Sequence, residues 1–220
     1  MSIASNIKIL RESVPSEIKI VAVSKFHSTG EIMEAYEAGQ RIFGESRVQE
    51  LVQKSDQLPK DIEWHFIGGL QRNKVKQIAP FISLIHSVDS ERLMREIEKQ
   101  AATNSRTISC LLQIHVAEED TKSGFTPNEC LQFLSDGAWE ECPHIKFIGI
   151  MGMATFTDDT EKVRNEFNRL RQLFEKVKTD YFAGDSDFKE ISMGMTSDYP
   201  IAIEEGSTMI RVGTKIFGER

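Results

Sequence analysis

The sequence predicts an α/β fold: a single (β/α)8 TIM-type barrel with an extra N-terminal helix. Three observations carry that prediction. Short apolar runs alternate with amphipathic segments of helical period almost from end to end. About eight such pairs fit within the 220 residues, and no linker, low-complexity tract or internal repeat interrupts them. Apolar strands separated by helices require a parallel sheet with helices outside, and eight units favour closure over an open, doubly wound sheet. Residues 1–220 are therefore expected to form one domain.

The elements follow in order. Residues 3–11 read as a helix lying ahead of the barrel. Residues 18–24 form a buried strand that runs out at Lys25. Ser28 and Glu31 are spaced as a capping box, Ile32, Ala35 and Tyr36 give the helix after it one apolar face, and Gly39 stops it. A short strand at 41–44 precedes a helix near 46–54, and Trp64 to Ile67 is the third strand. Gly68 and Gly69 break that strand before a basic helix from Arg72 to Gln77, which stops at Pro80. Strand four is 84–88, and the helix behind it turns Leu93, Met94, Ile97 and Ala101 inward. Residues 109–116 are the longest apolar strand, and Thr126, Pro127 and Glu129 open the next helix with a capping box and a proline at its first position.

Strand six is 146–150. The helix after it carries Val163, Phe167, Leu170, Phe174 and Val177 at steps of four and three, which is one face on a core, because a coiled coil needs more heptads. Residues 188–193 form strand seven, 198–205 a short helix stopped by Gly206, and 208–212 strand eight.

Composition bounds the function. A net charge of −7 leaves no basic stripe for a general nucleic-acid binder. No apolar run approaches a membrane span, and no basic region followed by a hydrophobic segment opens the chain, so a cytoplasmic location is expected. Cys110, Cys130 and Cys142 are widely spaced and suit a reducing compartment, Cys110 as a packing residue and the others at ordinary helix or loop positions. The five histidines are scattered singly; a barrel could bring His65, His86 and His115 together, but no metal-ligand spacing links them.

In such a barrel the C-terminal strand ends form one rim, where active sites lie. Lys25 follows strand one there. A lysine held against apolar neighbours has its ammonium form disfavoured, which exposes a nucleophilic amine able to form a Schiff base with an aldehyde. The alternative is a lysine that reaches solvent from a strand terminus. Gly44, Glu45, Ser46 and Arg47 follow strand two, Met151 to Met153 strand six, Thr196 and Ser197 strand seven, and Gly213 and Thr214 strand eight. Hydroxyls and free backbone N–H groups in the last two loops suit a phosphate. Arg211, inside strand eight, needs a partner if buried: either a carboxylate, with Glu45 a candidate, or a nitrogen of a bound ring. Lysine, hydroxyl loops and arginine together describe a phosphorylated aldehyde cofactor.

The stretches 21–25, 43–50, 64–68, 192–198 and 206–220 closely resemble the pyridoxal phosphate homeostasis proteins, in order and over essentially the whole chain. That resemblance implies a barrel like the N-terminal domain of alanine racemase, with pyridoxal 5'-phosphate held as a lysine Schiff base. It implies a cofactor carrier or regulator in vitamin B6 and amino-acid homeostasis, with no defined turnover reaction and with apo-enzymes as possible recipients. By matching position Lys25 is the Schiff-base lysine, and Thr196, Gly213 and Thr214 are phosphate contacts. Arg211 faces the pyridine nitrogen, and Ser192 and Ser46 are further cofactor-binding candidates. Ser46 departs from an asparagine common in relatives, which puts an amide contact there in doubt. Lys74 and Lys122 fall in family-like stretches and read as surface or mouth residues. A racemase is the runner-up, but it needs a second acid/base group on the opposite cofactor face, and Tyr199 is the one tyrosine near the rim. A barrel enzyme using Lys25 without a cofactor is a third reading. The absence of a second domain favours a monomer.

Overall fold

Eight parallel strands close into a barrel in the order in which they occur along the chain. The structure, a computed structural model, describes residues 2–117 and 123–219. Helix α1 (Ile3–Ser13), capped by Ser2, leads into β1 (Lys19–Val23) and α2 (Thr29–Glu37). Then come β2 (Ile42–Glu45), α3 (Val48–Gln57), β3 (Glu63–Phe66), α4 (Val75–Ile78), β4 (Leu84–Val88) and α5 (Glu91–Thr103). The second half runs through β5 (Ile108–His115), α6 (Pro127–Ser135), β6 (Ile145–Met153), α7 (Thr160–Tyr181) and β7 (Glu190–Ser192). It ends with α8 (Tyr199–Glu204), β8 (Met209–Val212) and α9 (Thr214–Phe217). Pairing of Lys19 with Met209 and of Val21 with Arg211 joins β8 to β1 and closes the barrel.

Strand pleating sorts side chains into two cores. Val21, Leu84, Leu111, Met151 and Met209 point inward and pack as a layer inside the barrel. Their neighbours Ala22, Ile85, Leu112, Ile150 and Ile210 point outward and join the larger core under the helices. Both predicted capping boxes form, at Ser28 with Glu31 and at Thr126 with Glu129; such caps contribute about 1 kcal/mol each. The stripe on α7 is buried on the barrel, and its Phe174 ring stacks on Phe188 at 5.4 Å between centroids. Gly149 permits an irregularity in the β5–β6 pairing: its φ is +154°, and a Cβ there would lie 1.8 Å from the Glu190 carbonyl oxygen.

Several boundaries differ from expectation. Strand seven keeps only three residues, because Met193 already bends away towards Gly194, whose φ is +93°. The basic helix predicted over 72–77 is a 3₁₀ turn, Arg72–Lys74, followed by the single turn of α4. Helix α9 was not foreseen, since four residues between Gly213 and Gly218 carry no readable period. Cys130 and Cys142 are buried together with Cys110, and all three are free thiols. Burial pushes the Cys130 thiol up to about 12, so it is a packing residue rather than a nucleophile. Among the described residues no helix is long and apolar enough to cross a membrane, and no cluster of three or more His, Cys, Asp or Glu could hold a metal ion.

Candidate functional site

A cavity of about 470 Å³ opens at the C-terminal ends of the strands, within the range of roughly 300–1,000 Å³ found for small-molecule sites. Lys25, Ser46, Thr196, Arg211, Gly213 and Thr214 line it. These come from loops after β1, β2, β7 and β8 and from β8 itself, so residues up to 189 positions apart in sequence share one wall. Ser192 is the sequence candidate that does not line the cavity. It lies beneath it, as a support for Arg211.

Lys25 sits in a tight turn rather than in the strand. The Ser24 carbonyl accepts the His27 N–H at 3.0 Å, and Phe26 has φ of +69°. A positive φ at the third residue of such a turn is the type II arrangement, which normally calls for glycine. Phe26 therefore carries about 1–2 kcal/mol of backbone strain. Lys25 is half-buried on the rim, between the two alternatives the sequence offered, a lysine held against apolar neighbours and one that reaches solvent; strand burial ends with Ser24, one residue earlier.

Arg211 is 4% exposed. Its Nη1 donates to the Ser192 carbonyl at 2.8 Å and to Ser192 Oγ at 2.6 Å, while Nη2 donates to the Gly152 carbonyl at 3.0 Å. Its Nε makes no hydrogen bond to a described residue, which leaves a donor on a cavity-lining guanidinium. Burial lowers its pKa to about 10, with Asp198 acting in the opposite direction, so the charge persists at neutral pH. Glu45 is not its partner. Glu45 shares the outward, helix-facing side of β2 with Phe43, and it accepts instead from Lys54 Nζ at 2.7 Å and Ser24 Oγ at 2.6 Å.

Below Arg211 a polar chain continues into the barrel. Ser192 Oγ is 3.0 Å from His86 Nδ1, and His86 Nε2 is 3.0 Å from His65 Nδ1. Since Ser192 Oγ accepts from Arg211, its own proton is free to go to His86 Nδ1; His86 then donates through Nε2 to His65. Burial holds both imidazoles neutral, lowering His65 to about 3 and His86 well below its usual value, with nearby positive charge adding to both. The barrel thus brings His65 and His86 together, while His115 stays at the far end of β5.

The two hydroxyl-bearing loops, after β7 and β8, both line this cavity. Thr196 Oγ1 accepts the Gly213 N–H at 3.3 Å. The N–H groups of Thr214 and Lys215 begin α9, where a helix supplies no intrahelical acceptor. Among the described residues the lining holds Lys25 and Arg211 but no carboxylate, in a chain of net charge −7. Amine, guanidinium and N–H-rich loops without a competing acid fit a small anion carrying a phosphate, an aldehyde and a ring acceptor.

A family model for the N-terminal domain of alanine racemase matches residues 1–220. The pyridoxal phosphate homeostasis protein of Aquifex aeolicus is 38% identical over 203 residues, covering 92% of this chain and 87% of that one. The Haemophilus influenzae protein of the same name is 34% identical, covering 100% and 97%. The chain belongs to the pyridoxal phosphate homeostasis protein family. PipY of Synechococcus elongatus, solved with pyridoxal phosphate bound, superposes with a TM-score of 0.89 at 33% identity over 99% of this chain and 100% of that one. An alanine racemase of Clostridium difficile, at 13% identity and a TM-score of 0.80, spans this chain with 57% of its own length and shares the fold.

The sequence analysis left His27 and Phe156 unnoticed as lining residues, whereas Met153 lies on the rim where it was expected. His27 stacks on Phe217 at 4.4 Å and pairs with Glu31 at 2.9 Å, which fixes its ring at the cavity wall. Its place two residues after Lys25 was the available signal. Met153 and Phe156 supply an apolar mouth, and Phe156 is 86% exposed. Buried Glu166 anchors that loop by accepting from Thr155 N at 2.6 Å and Thr155 Oγ1 at 2.8 Å. Tyr199 starts α8, but its hydroxyl accepts from Lys215 at 3.1 Å beside α1 and does not line the cavity. Lys74 lies in the 3₁₀ turn outside the lining, and Lys122 falls outside the described residues.

Proposed function

We propose that this chain is one barrel domain that binds pyridoxal 5'-phosphate in the rim cavity and acts as a carrier or regulator of that cofactor in vitamin B6 and amino-acid homeostasis. The Lys25 amine condenses with the aldehyde to a Schiff base, releasing water. Thr196, Gly213 and Thr214 receive the phosphate, Ser46 borders it, and Arg211, braced by Ser192, offers its Nε–H to the ring nitrogen. The observation that carries the reading is the convergence of Lys25, Arg211 and the two N–H-rich loops on one cavity with no carboxylate in its lining. Its family membership and the cofactor in PipY support it.

When bound, the cofactor supplies an electron sink, and that sink is weaker with a neutral ring nitrogen than with a pyridinium. Arg211 stays protonated and donates, so it disfavours a proton on that nitrogen. This suits holding the cofactor more than using it for carbanion chemistry. Racemisation would require a second acid/base group across the ring; Tyr199, the tyrosine weighed for it, does not line the cavity, and the His27 ring in the lining is held by Phe217 and Glu31. The chain acts as a cytoplasmic monomer, with apo-enzymes that need the cofactor as recipients.

The test is spectroscopic. Mixing the purified protein with pyridoxal phosphate gives a visible imine band, and Lys25→Ala abolishes it. A protein that gains no such band, or a Lys25→Ala variant that keeps it, overturns the assignment. Transfer of bound cofactor to an apo-enzyme supports the carrier role, and exchange of an amino-acid α-proton with solvent would replace it with racemase activity.

A further inference from the structure

Lys54 on α3 is buried more deeply than Lys25, at 5% exposure, and the proposed chemistry does not use it. Its ammonium has three protons and meets three acceptors: the Ser24 carbonyl at 2.7 Å, Glu45 Oε1 at 2.7 Å and Glu50 Oε1 at 2.8 Å. Glu50 Oε1 also accepts the Phe26 N–H at 2.5 Å. One ammonium therefore reaches both sides of Lys25, directly through Ser24 and through Glu50 to Phe26.

The segment tied in this way is the turn in which Phe26 takes a left-handed conformation. Such strain persists only where surrounding contacts over-determine it, and it gathers at functional positions. The Arg47 guanidinium adds a further hold, 4.6 Å from the centre of the Phe26 ring. As a source of stability the cluster is a poor choice. Burying a lysine with two carboxylates costs desolvation that an apolar packing would avoid, and Glu45 Oε2 is left buried with no partner. What the cluster does provide is a fixed backbone on either side of one lysine.

We propose that Lys54 and Glu50 are positioning residues for Lys25, holding its strained turn in the form that presents the Lys25 amine to the cavity. This rests on Lys25 being the Schiff-base residue. A role confined to packing β2 against α3 would leave the covalent step indifferent to the turn; a positioning role makes that step depend on the Phe26 backbone.

The experiment follows imine formation by stopped flow for the wild type, Glu50→Ala, Phe26→Gly and the double variant, with pyridoxal phosphate. Binding of pyridoxamine 5'-phosphate, which has ring and phosphate but no aldehyde, is measured alongside. Glu50 is partly exposed, so its truncation leaves the fold intact where Lys54→Met would strand the buried Glu45 carboxylate. Glu50→Ala is expected to slow imine formation about tenfold, the rate equivalent of the left-handed penalty, with unchanged pyridoxamine phosphate affinity. Glycine takes the same φ without strain, so Phe26→Gly in the Glu50→Ala background should restore the rate to within about twofold. A wild-type rate for Glu50→Ala, or no restoration by Phe26→Gly, overturns the positioning role. If Lys25→Ala still forms the imine, the functional proposal fails instead, so the two failures are distinct.

Discussion

Replacing His65 with glutamine should make the protein less sensitive to mild acid. In the native barrel His65 stays neutral down to about 3, chiefly because it is buried beside His86 with Lys19 nearby. In the unfolded chain the same imidazole takes a proton near 6.5. Below that pH the unfolded state binds more protons than the native state, so stability falls as pH falls. Between about pH 7 and pH 5, one such histidine removes ~2 kcal/mol. His86 acts with the same sign. Burial raises the carboxyls of Glu45 and Asp198, which acts with the opposite sign, so the comparison must be between variants rather than of absolute stability. Urea unfolding of wild type and His65→Gln at both pH values isolates the histidine. The variant should lose ~2 kcal/mol less than wild type across the interval. Equal losses would mean that His65 titrates in the folded barrel, and that burial does not hold the histidine end of the chain below Arg211 neutral.

Three further outcomes follow from the geometry. Thr214→Val should weaken pyridoxal phosphate binding by roughly 10- to 100-fold, the worth of one hydrogen bond to a charged group, while leaving affinity for unphosphorylated pyridoxal unchanged; parallel titrations read the difference. Ser192→Ala removes the 2.6 Å acceptor of Arg211 and the partner of His86, so it should cost ~2 kcal/mol and lower Tm by roughly 4–8 °C in a thermal melt. Gly149→Ala sets a Cβ against the Glu190 carbonyl; the β6–β7 pairing cannot absorb it, and soluble expression should be lost where Gly184→Ala, whose Cβ meets nothing within 4 Å, is tolerated.

Much of this molecule was legible before its structure. Alternating strand and helix periods gave the barrel, both capping boxes formed where Ser28 and Thr126 put them, and Lys25, Thr196 and Gly213 fell on one rim because all follow parallel strands, with Arg211 reaching the same cavity from inside β8. What escaped depended on register. Ile42 and Phe43 are both apolar, so β2 carries no alternation to say that Glu45 faces the helices; the pairing of Glu45 with Phe66 and the parity with Phe43 decide it. His65 and His86 meet because β3 and β4 are neighbours whose inward residues share a level, while His115 lies higher on the longer β5. The strained turn at Phe26 lacked its usual glycine, and the four-residue α9 was too short to show a period. Lys54 was invisible as a buried residue, since lysine on a short polar helix normally reads as solvent-facing.

The central claim is that a single amine, at position 25, carries the cofactor. Reducing the protein–pyridoxal phosphate complex with borohydride and mapping the modified peptide by mass spectrometry tests it most directly. One pyridoxyl mass is expected on the peptide containing Lys25 and none on those containing Lys54 or Lys215. A modification found on another lysine, or an unmodified Lys25 peptide from fully reduced complex, would contradict it.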